Sequence, residues 1–286
     1  MDMKKLLAVS AAVIGTAAMA EVSSSVVGYQ TKEAAADGFN YMAPTFLPVS
    51  GGTEINLQDI QLADTANAQA DIQVLDGSGL YTEFYWWYKK RGDGQVGPSG
   101  YRVPCPEGKN GVWFLVTFDE EGDPEDYEYV TDRTFDWGCG IQLNIESGSV
   151  VNFSGAVSDA DVELAAESDG FNYFANPYPQ AINLQDVQLT DTANAQADIQ
   201  VLDGSGLYTE FYWWYKKRGD GQVGPSGYRV PCPEGLNGVW FLVSFDEEGD
   251  PESYEYITDR EFDAGDGFQL NIEEGSELTI LAPFEL

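Results

Sequence analysis

The chain has 286 residues, with 14 Lys and Arg against 48 Asp and Glu, a formal net charge of −34, no histidine, 43% hydrophobic and 13% aromatic residues. So negative a surface argues against a nucleic-acid binder, which needs cations to displace phosphate counterions, and against docking on anionic lipid. The apolar and aromatic content is too rich for a disordered chain, and the missing histidine removes Ser-His-Asp, Cys-His and imidazole–metal chemistry.

The chain starts with Lys4 and Lys5, an apolar run at 6–13, and small residues ending Ala18, Met19 and Ala20. A basic start, a short apolar core and an A-x-A site predict a secretory signal peptide over 1–20. The expectation is an exported protein, extracellular or at the cell surface. No later apolar run reaches spanning length, so no membrane insertion is expected.

The rest is one unit written twice. Residues 55–146 align without gaps on 182–273 at an offset of 127, and 82 of the 92 positions are identical. Upstream, 37–41 (DGFNY) returns as 169–173 at an offset of 132, because the first copy carries five extra residues around Ser50, Gly51 and Gly52. A domain-sized period predicts a complete core in each copy. The expected division is 21–157 and 158–286, with the boundary in the small, polar stretch 155–168.

Within each copy the pattern reads as strands. Residues 70–75, 80–90, 111–118, 127–131 and 141–145 are short runs rich in β-branched and aromatic residues, several alternating apolar with polar. Further strands are expected at 25–29 and 278–281. Turn chemistry separates them at 76–79, 91–94, 97–100 and 120–124. Helix is confined to a turn or two within 57–69. The predicted fold class is all-β: two tandem antiparallel sandwich or barrel-like domains.

Phe39-Asn40-Tyr41, Ile55-Asn56-Leu57, the run 72–77 (IQVLDG), the run 138–143 (GCGIQL) and the closing 151–155 (VNFSG) resemble a secreted β-rich domain frequent in planctomycete and verrucomicrobial proteins. The second copy gives fuller versions at 170–177 (GFNYFANP) and 265–270 (GDGFQL). The resemblance implies an exported surface module without an assigned activity.

The strand 80–90, repeated at 207–217, is the most unusual segment. Strand side chains alternate faces. Leu80, Thr82, Phe84, Trp86 and Tyr88 form one face, expected in the core. Tyr81, Glu83, Tyr85, Trp87 and Lys89 form the other. Tyr81, Tyr85 and Trp87, with Tyr208, Tyr212 and Trp214, are therefore candidate ligand or interface aromatics, suited to sugar stacking or a protein surface. The opposing reading is a strand buried on both faces.

Calcium is the one cofactor the sequence admits. Asp119, Glu121 and Asp123, with Asp246, Glu248 and Asp250, crowd carboxylates into one loop per copy, although the spacing is not that of an EF-hand and a charged turn needs no metal. Arg91-Gly92-Asp93 and Arg218-Gly219-Asp220 spell an adhesion tripeptide that is also ordinary turn chemistry. Cys105 and Cys232 correspond between copies, whereas Cys139 corresponds to Asp266. The odd count leaves two options: a Cys105–Cys139 bridge with Cys232 unpaired, or a Cys105–Cys232 bridge across copies.

Three functions follow. The leading one is an exported, non-enzymatic surface or extracellular structural protein, a self-assembling filament or surface-layer subunit. The alternative is a tandem carbohydrate-binding or adhesion module, with surface polysaccharide or protein as partner. A third is a hydrolase built from paired carboxylates.

Overall fold

The computed structural model describes residues 27–35, 37–63, 71–75, 81–87, 95–96, 102–103, 111–121, 124–189, 197–202, 208–214, 222–223, 229–230, 238–248 and 251–284. The first copy contributes β1 (Val27–Glu33), β2 (Gly38–Met42), β3 (Glu54–Asn56), β4 (Gln61–Leu62), β5 (Asp71–Leu75), β6 (Tyr81–Trp87), β7 (Gln95–Val96), β8 (Arg102–Val103), β9 (Val112–Phe118), β10 (Pro124–Tyr129), β11 (Thr134–Asp136), β12 (Ile141–Ile145) and β13 (Val150–Ala156). The second repeats them as β14 (Val162–Ala165), β15 (Gly170–Ala175), β16 (Ile182–Asn183), β17 (Val187–Leu189), β18 (Asp198–Leu202), β19 (Tyr208–Trp214), β20 (Gln222–Val223), β21 (Arg229–Val230), β22 (Val239–Phe245), β23 (Pro251–Tyr256), β24 (Glu261–Phe262), β25 (Gly267–Ile272) and β26 (Glu277–Ile280).

The all-β class is as the sequence predicts. Each copy holds a six-stranded antiparallel sheet, β10-β9-β6-β5-β12-β2 in the first and β23-β22-β19-β18-β25-β15 in the second. Against it pack a three-stranded sheet, β1-β13-β4 or β14-β26-β17, and a two-stranded one, β3-β11 or β16-β24. The helical turns Leu57–Asp59 and Leu184–Asp186 are capped by Asn56 and Asn183, whose side chains accept from the amides of Gln58 and Gln185. The strand expected at 127–131 starts earlier, at Pro124. A proline is tolerated there because it opens an edge strand.

The alternation in β6 places Phe84 and Trp86 in the core. Trp86 lies opposite Trp113 on β9, ring centroids 5.0 Å apart, and Trp213 meets Trp240 at the same distance. Fully burying such side chains supplies roughly 2–3 kcal/mol each. Trp113 Nε1 donates to the Ile60 carbonyl at 2.8 Å. Gln58 seals the corner: its amide donates to the Trp113 and Val130 carbonyls at 2.8 and 2.6 Å and accepts from the Trp113 N–H at 3.0 Å.

The copies are joined by five residues, 157–161, between β13 and β14. They meet at the inner edges of their large sheets, through reciprocal contacts. Met42 forms a β-bridge with Asp266, and its equivalent Phe174 forms one with Cys139, the equivalent of Asp266. Ala43 N–H donates to the Gly265 carbonyl at 3.2 Å, and Ala175 N–H donates to the Gly138 carbonyl at 3.0 Å. Each contact is the other with the copies exchanged, which is the signature of a two-fold, isologous interface. Glycine is required at its centre: a Cβ on Gly140 would lie 2.8 Å from the Phe174 carbonyl oxygen, and one on Gly267 would lie 2.5 Å from the Tyr41 carbonyl carbon. Buried apolar residues of both copies run together across this junction as one cluster.

The two ends of the junction differ chemically. At one end Trp137 meets Tyr178 edge-on at 5.5 Å and donates to the Pro177 carbonyl at 3.2 Å, while Val162 and Leu164 close over Gly138. At the other, Ala264 replaces Trp137 and Asp266 replaces Cys139. There Gln30 and Lys32, the counterparts of Val162 and Leu164, each donate to the Ala264 carbonyl at 3.2 Å, and Lys32 pairs with Asp266. Of the ten differences between the aligned repeats, three fall at 137, 139 and 141, within the segment that crosses between copies.

Candidate binding face

The face of each six-stranded sheet that points away from the main core carries two ordered rungs. In the first copy, cross-strand partners run Phe39, Asn144, Asp71, Tyr85 and Phe114 along one rung, and Tyr41, Gln142, Gln73 and Glu83 along the next. The second copy repeats them as Phe171, Asn271, Asp198, Tyr212 and Phe241, and as Tyr173, Gln269, Gln200 and Glu210. Reading inward from Tyr85 and Glu83 to the junction, the chemistry passes from carboxyl and phenol to amide to aromatic ring.

The carboxyl end is locked. Tyr85 OH donates to Glu83 Oε2 at 2.7 Å, Gln73 donates to Glu83 Oε1 at 2.5 Å, and Asn144 donates to Asp71 Oδ2 at 2.9 Å. The second copy matches: Tyr212 to Glu210 at 2.6 Å, Gln200 to Glu210 at 2.7 Å, Asn271 to Asp198 at 3.0 Å. Burial, with the Glu83 charge beside it, pushes the Asp71 carboxyl up to about 7, against the pull of its Asn144 hydrogen bond. Burial pushes Asp198 up to about 6. The Tyr85 and Tyr212 phenols are raised by burial and by donating to a carboxylate.

The aromatic end lies on the two-fold junction. Tyr41 and Tyr173 approach to 4.9 Å between ring centroids, tilted by 46°. Tyr41 OH accepts from the amides of Gln142 at 3.1 Å and Gln269 at 2.7 Å, one from each copy. Tyr173 OH donates to Gln142 Oε1 at 3.3 Å. Phe39 and Phe171, two residues before each tyrosine on the same strand face, are each 42% exposed.

The candidate aromatics of the sequence are distributed differently. Tyr85 and Tyr212 are buried, 5% and 6% exposed, because each hydroxyl is held by the glutamate two residues earlier and each ring packs on phenylalanines, Phe114 and Phe118 or Phe241 and Phe245. They offer no stacking surface. The side chains of Tyr81, Trp87, Tyr208 and Trp214 lie outside the described residues, as do the two RGD tripeptides. Among the described residues the exposed aromatics are Tyr29, Phe39, Phe118, Phe171, Phe245 and Tyr256, of which Phe39 and Phe171 belong to the repeated DGFNY motif.

Asp119 and Asp246 turn a carboxylate oxygen onto their own loops, accepting from the amides of Glu121 and Glu248 at 3.0 Å. Asp123 and Asp250 lie outside the described residues. Among the described residues no group of three or more acidic or cysteine side chains is placed to hold a metal ion.

The Cys105–Cys139 bridge is not formed. Cys139 carries a free thiol, and its backbone is bridged across the junction to Phe174. Burial, with the charges of Glu167 and Asp136, pushes that thiol up to about 12, so it is a poor nucleophile. Cys105 and Cys232 lie outside the described residues.

No protein-family model matches the chain, and no curated protein matches it. Among the described residues no helix is long and apolar enough to cross a membrane.

Proposed function

We propose that the chain is an exported, non-enzymatic structural protein of the cell surface or extracellular space, a preformed two-copy unit that self-associates. The observation that carries this reading is the junction. It uses the inner edges β2 and β15 within the chain and leaves β10 and β23 as equivalent outer edges of the two large sheets. Both edges open on a proline, contain or face a register shift, and expose acids: Glu125, Asp126 and Glu128 on one, Glu252 and Glu255 on the other. Such edges resist strand addition, so self-association does not run through them, and with a net charge of −34 it depends on screening.

One acid pair on the rung face of the first copy is unsuited to hydrolysis. Glu83 accepts on both carboxylate oxygens and Asp71 is buried beside Asn144, so neither stands free to flank a scissile bond.

Sedimentation velocity and electron microscopy of the chain from Glu21 onward test the reading. Ordered assemblies are expected as sodium chloride is raised. Calcium at matched ionic strength promotes them further only if the loops at Asp119 and Asp246 bind it. A monomer under every condition contradicts the proposal.

A further inference from the structure

We propose that the chain self-associates by strand exchange: β1 of one chain leaves its own β13 and takes the same place on β13 of a second copy. The inference rests on the self-association proposed above and names its route, which the outer edges β10 and β23 do not supply.

The two copies hold their first strands differently. β1 and β14 occupy equivalent edges, antiparallel to β13 and β26. In the second copy the core-facing rungs are apolar on both sides, Leu164 opposite Leu278 and Val162 opposite Ile280, and all four side chains are buried. In the first copy the same rungs set Lys32 opposite Val151 and Gln30 opposite Phe153. Val151 and Phe153 are buried, yet no residue of β1 is. A strand that buries no apolar side chain gains little hydrophobic free energy from its place in the fold.

What holds β1 is polar and partly wet. Its backbone pairs with β13 from Val27 opposite Ala156 to Glu33 opposite Val150. Tyr29 OH donates to Asn152 Oδ1 at 2.9 Å, and the Thr45 hydroxyl donates to Gln30 Oε1 at 2.5 Å. Gln30 and Lys32 reach the Ala264 carbonyl, and Lys32 pairs with Asp266. The Lys32 and Asp266 side chains are 20% and 39% exposed, so salt screens the pair. The salt that relieves the repulsion between whole chains therefore also loosens β1.

The place that β1 would vacate selects β1 itself. Phe46 packs over Gly28, where a Cβ would lie 2.1 Å from the ring, so the incoming strand needs glycine at that rung. Two rungs on it needs an amide and then a cation, to meet the Ala264 carbonyl and Asp266. A second copy of this chain brings Gly28, Gln30 and Lys32 in that order and remakes every bond lost, which is why such exchange is a low-cost route to association. Ala34 marks the pivot: it is buried, donates to the Ser149 carbonyl at 2.8 Å and accepts from the Gly148 N–H at 2.9 Å. β14 cannot leave in the same way, because it joins β13 to β15 within the chain.

Disulfide trapping tests the exchange in the full chain with Cys105, Cys139 and Cys232 replaced by Ser. Tyr29 and Ser154 are antiparallel partners with exposed side chains, within disulfide reach of each other. One chain carries Tyr29→Cys and a second, of different mass, carries Ser154→Cys; they are mixed in high sodium chloride and oxidised mildly. The mixed disulfide should form at least tenfold more than with a chain carrying Glu163→Cys, an equally exposed site on β14. Equal yields overturn the proposal. With both cysteines in one chain, oxidation at low salt should lock β1 in place, and the locked monomer should fail to associate in high salt until dithiothreitol is added. If the parent associates and the locked chain associates equally, exchange is wrong while self-association stands. If the parent stays monomeric and no mixed disulfide forms, both readings fall.

Discussion

Cys139 and Asp266 occupy equivalent positions in the two copies, and each forms a β-bridge with the opposite copy, Cys139 to Phe174 and Asp266 to Met42. One position has thus become apolar at one end of the junction and charged at the other. The partner strands have changed to match, Leu164 facing the apolar end and Lys32 the charged one. This complementarity favours the first copy pairing with the second over either pairing with its own kind.

The apolar end should be the stronger. Trp137→Ala removes a buried ring from between Tyr178 and the Pro177 carbonyl and should cost about 3–5 kcal/mol in urea unfolding. The reverse change, Ala264→Trp, forces a ring into the space where Gln30 and Lys32 bond the Ala264 carbonyl, and should cost about 1–3 kcal/mol. A neutral Trp137→Ala contradicts the junction.

The paired core indoles should respond unequally. Trp113 Nε1 donates to Ile60, whereas Trp86 Nε1 is buried with no hydrogen-bond partner. Trp113→Phe leaves a buried carbonyl unpaired, worth about 1–3 kcal/mol beyond the lost volume. Trp86→Phe removes an orphan donor and should be milder by at least about 1 kcal/mol. Trp240→Phe and Trp213→Phe repeat the comparison. Equal losses in urea melts would contradict these assignments.

Stability should fall as pH rises from about 4 to about 7. The raised carboxyls of Asp71 and Asp198 keep their protons in the folded chain to about 7 and about 6, while the unfolded chain releases them near 4. The folded state then binds more protons in that window, so raising the pH favours unfolding. Asp71→Asn with Asp198→Asn preserves the acceptor for Asn144 and Asn271 and removes the ionisation. At pH 8 the double variant should be more stable than the parent, by on the order of 1–2 kcal/mol after solvent screening. At pH 4 the two should melt alike. A variant less stable at pH 8 would contradict the burial of these acids.

The sequence made the strands legible because alternation and turn chemistry are local. Ile141–Ile145 coincides with its expected bounds, and Phe84 and Trp86 occupy the face their parity predicts. Parity could not say that Tyr85, on the opposite face of β6, is also buried, since its closure depends on Glu83 and on Phe114 from a strand about 30 residues away. Phe39 and Tyr41 were visible only as a repeated motif; their meeting with Phe171 and Tyr173 depends on how the copies dock. The junction itself left a trace, the Cys139/Asp266 difference, which pointed toward disulfide pairing until the backbone bridges gave it another meaning.

The central claim is that the two copies join through β2 and β25, and a disulfide tests it most directly. Antiparallel bridge partners such as Met42 and Asp266 have Cα atoms about 4.5–5.5 Å apart, within disulfide reach. Met42→Cys with Asp266→Cys, in a chain whose Cys105, Cys139 and Cys232 are replaced by Ser, leaves two thiols 224 positions apart in sequence. Mild oxidation should yield a monomer with an intramolecular disulfide and no thiol titratable under denaturing conditions. Two reactive thiols, or disulfide-linked dimers in place of the internal bond, would contradict the account.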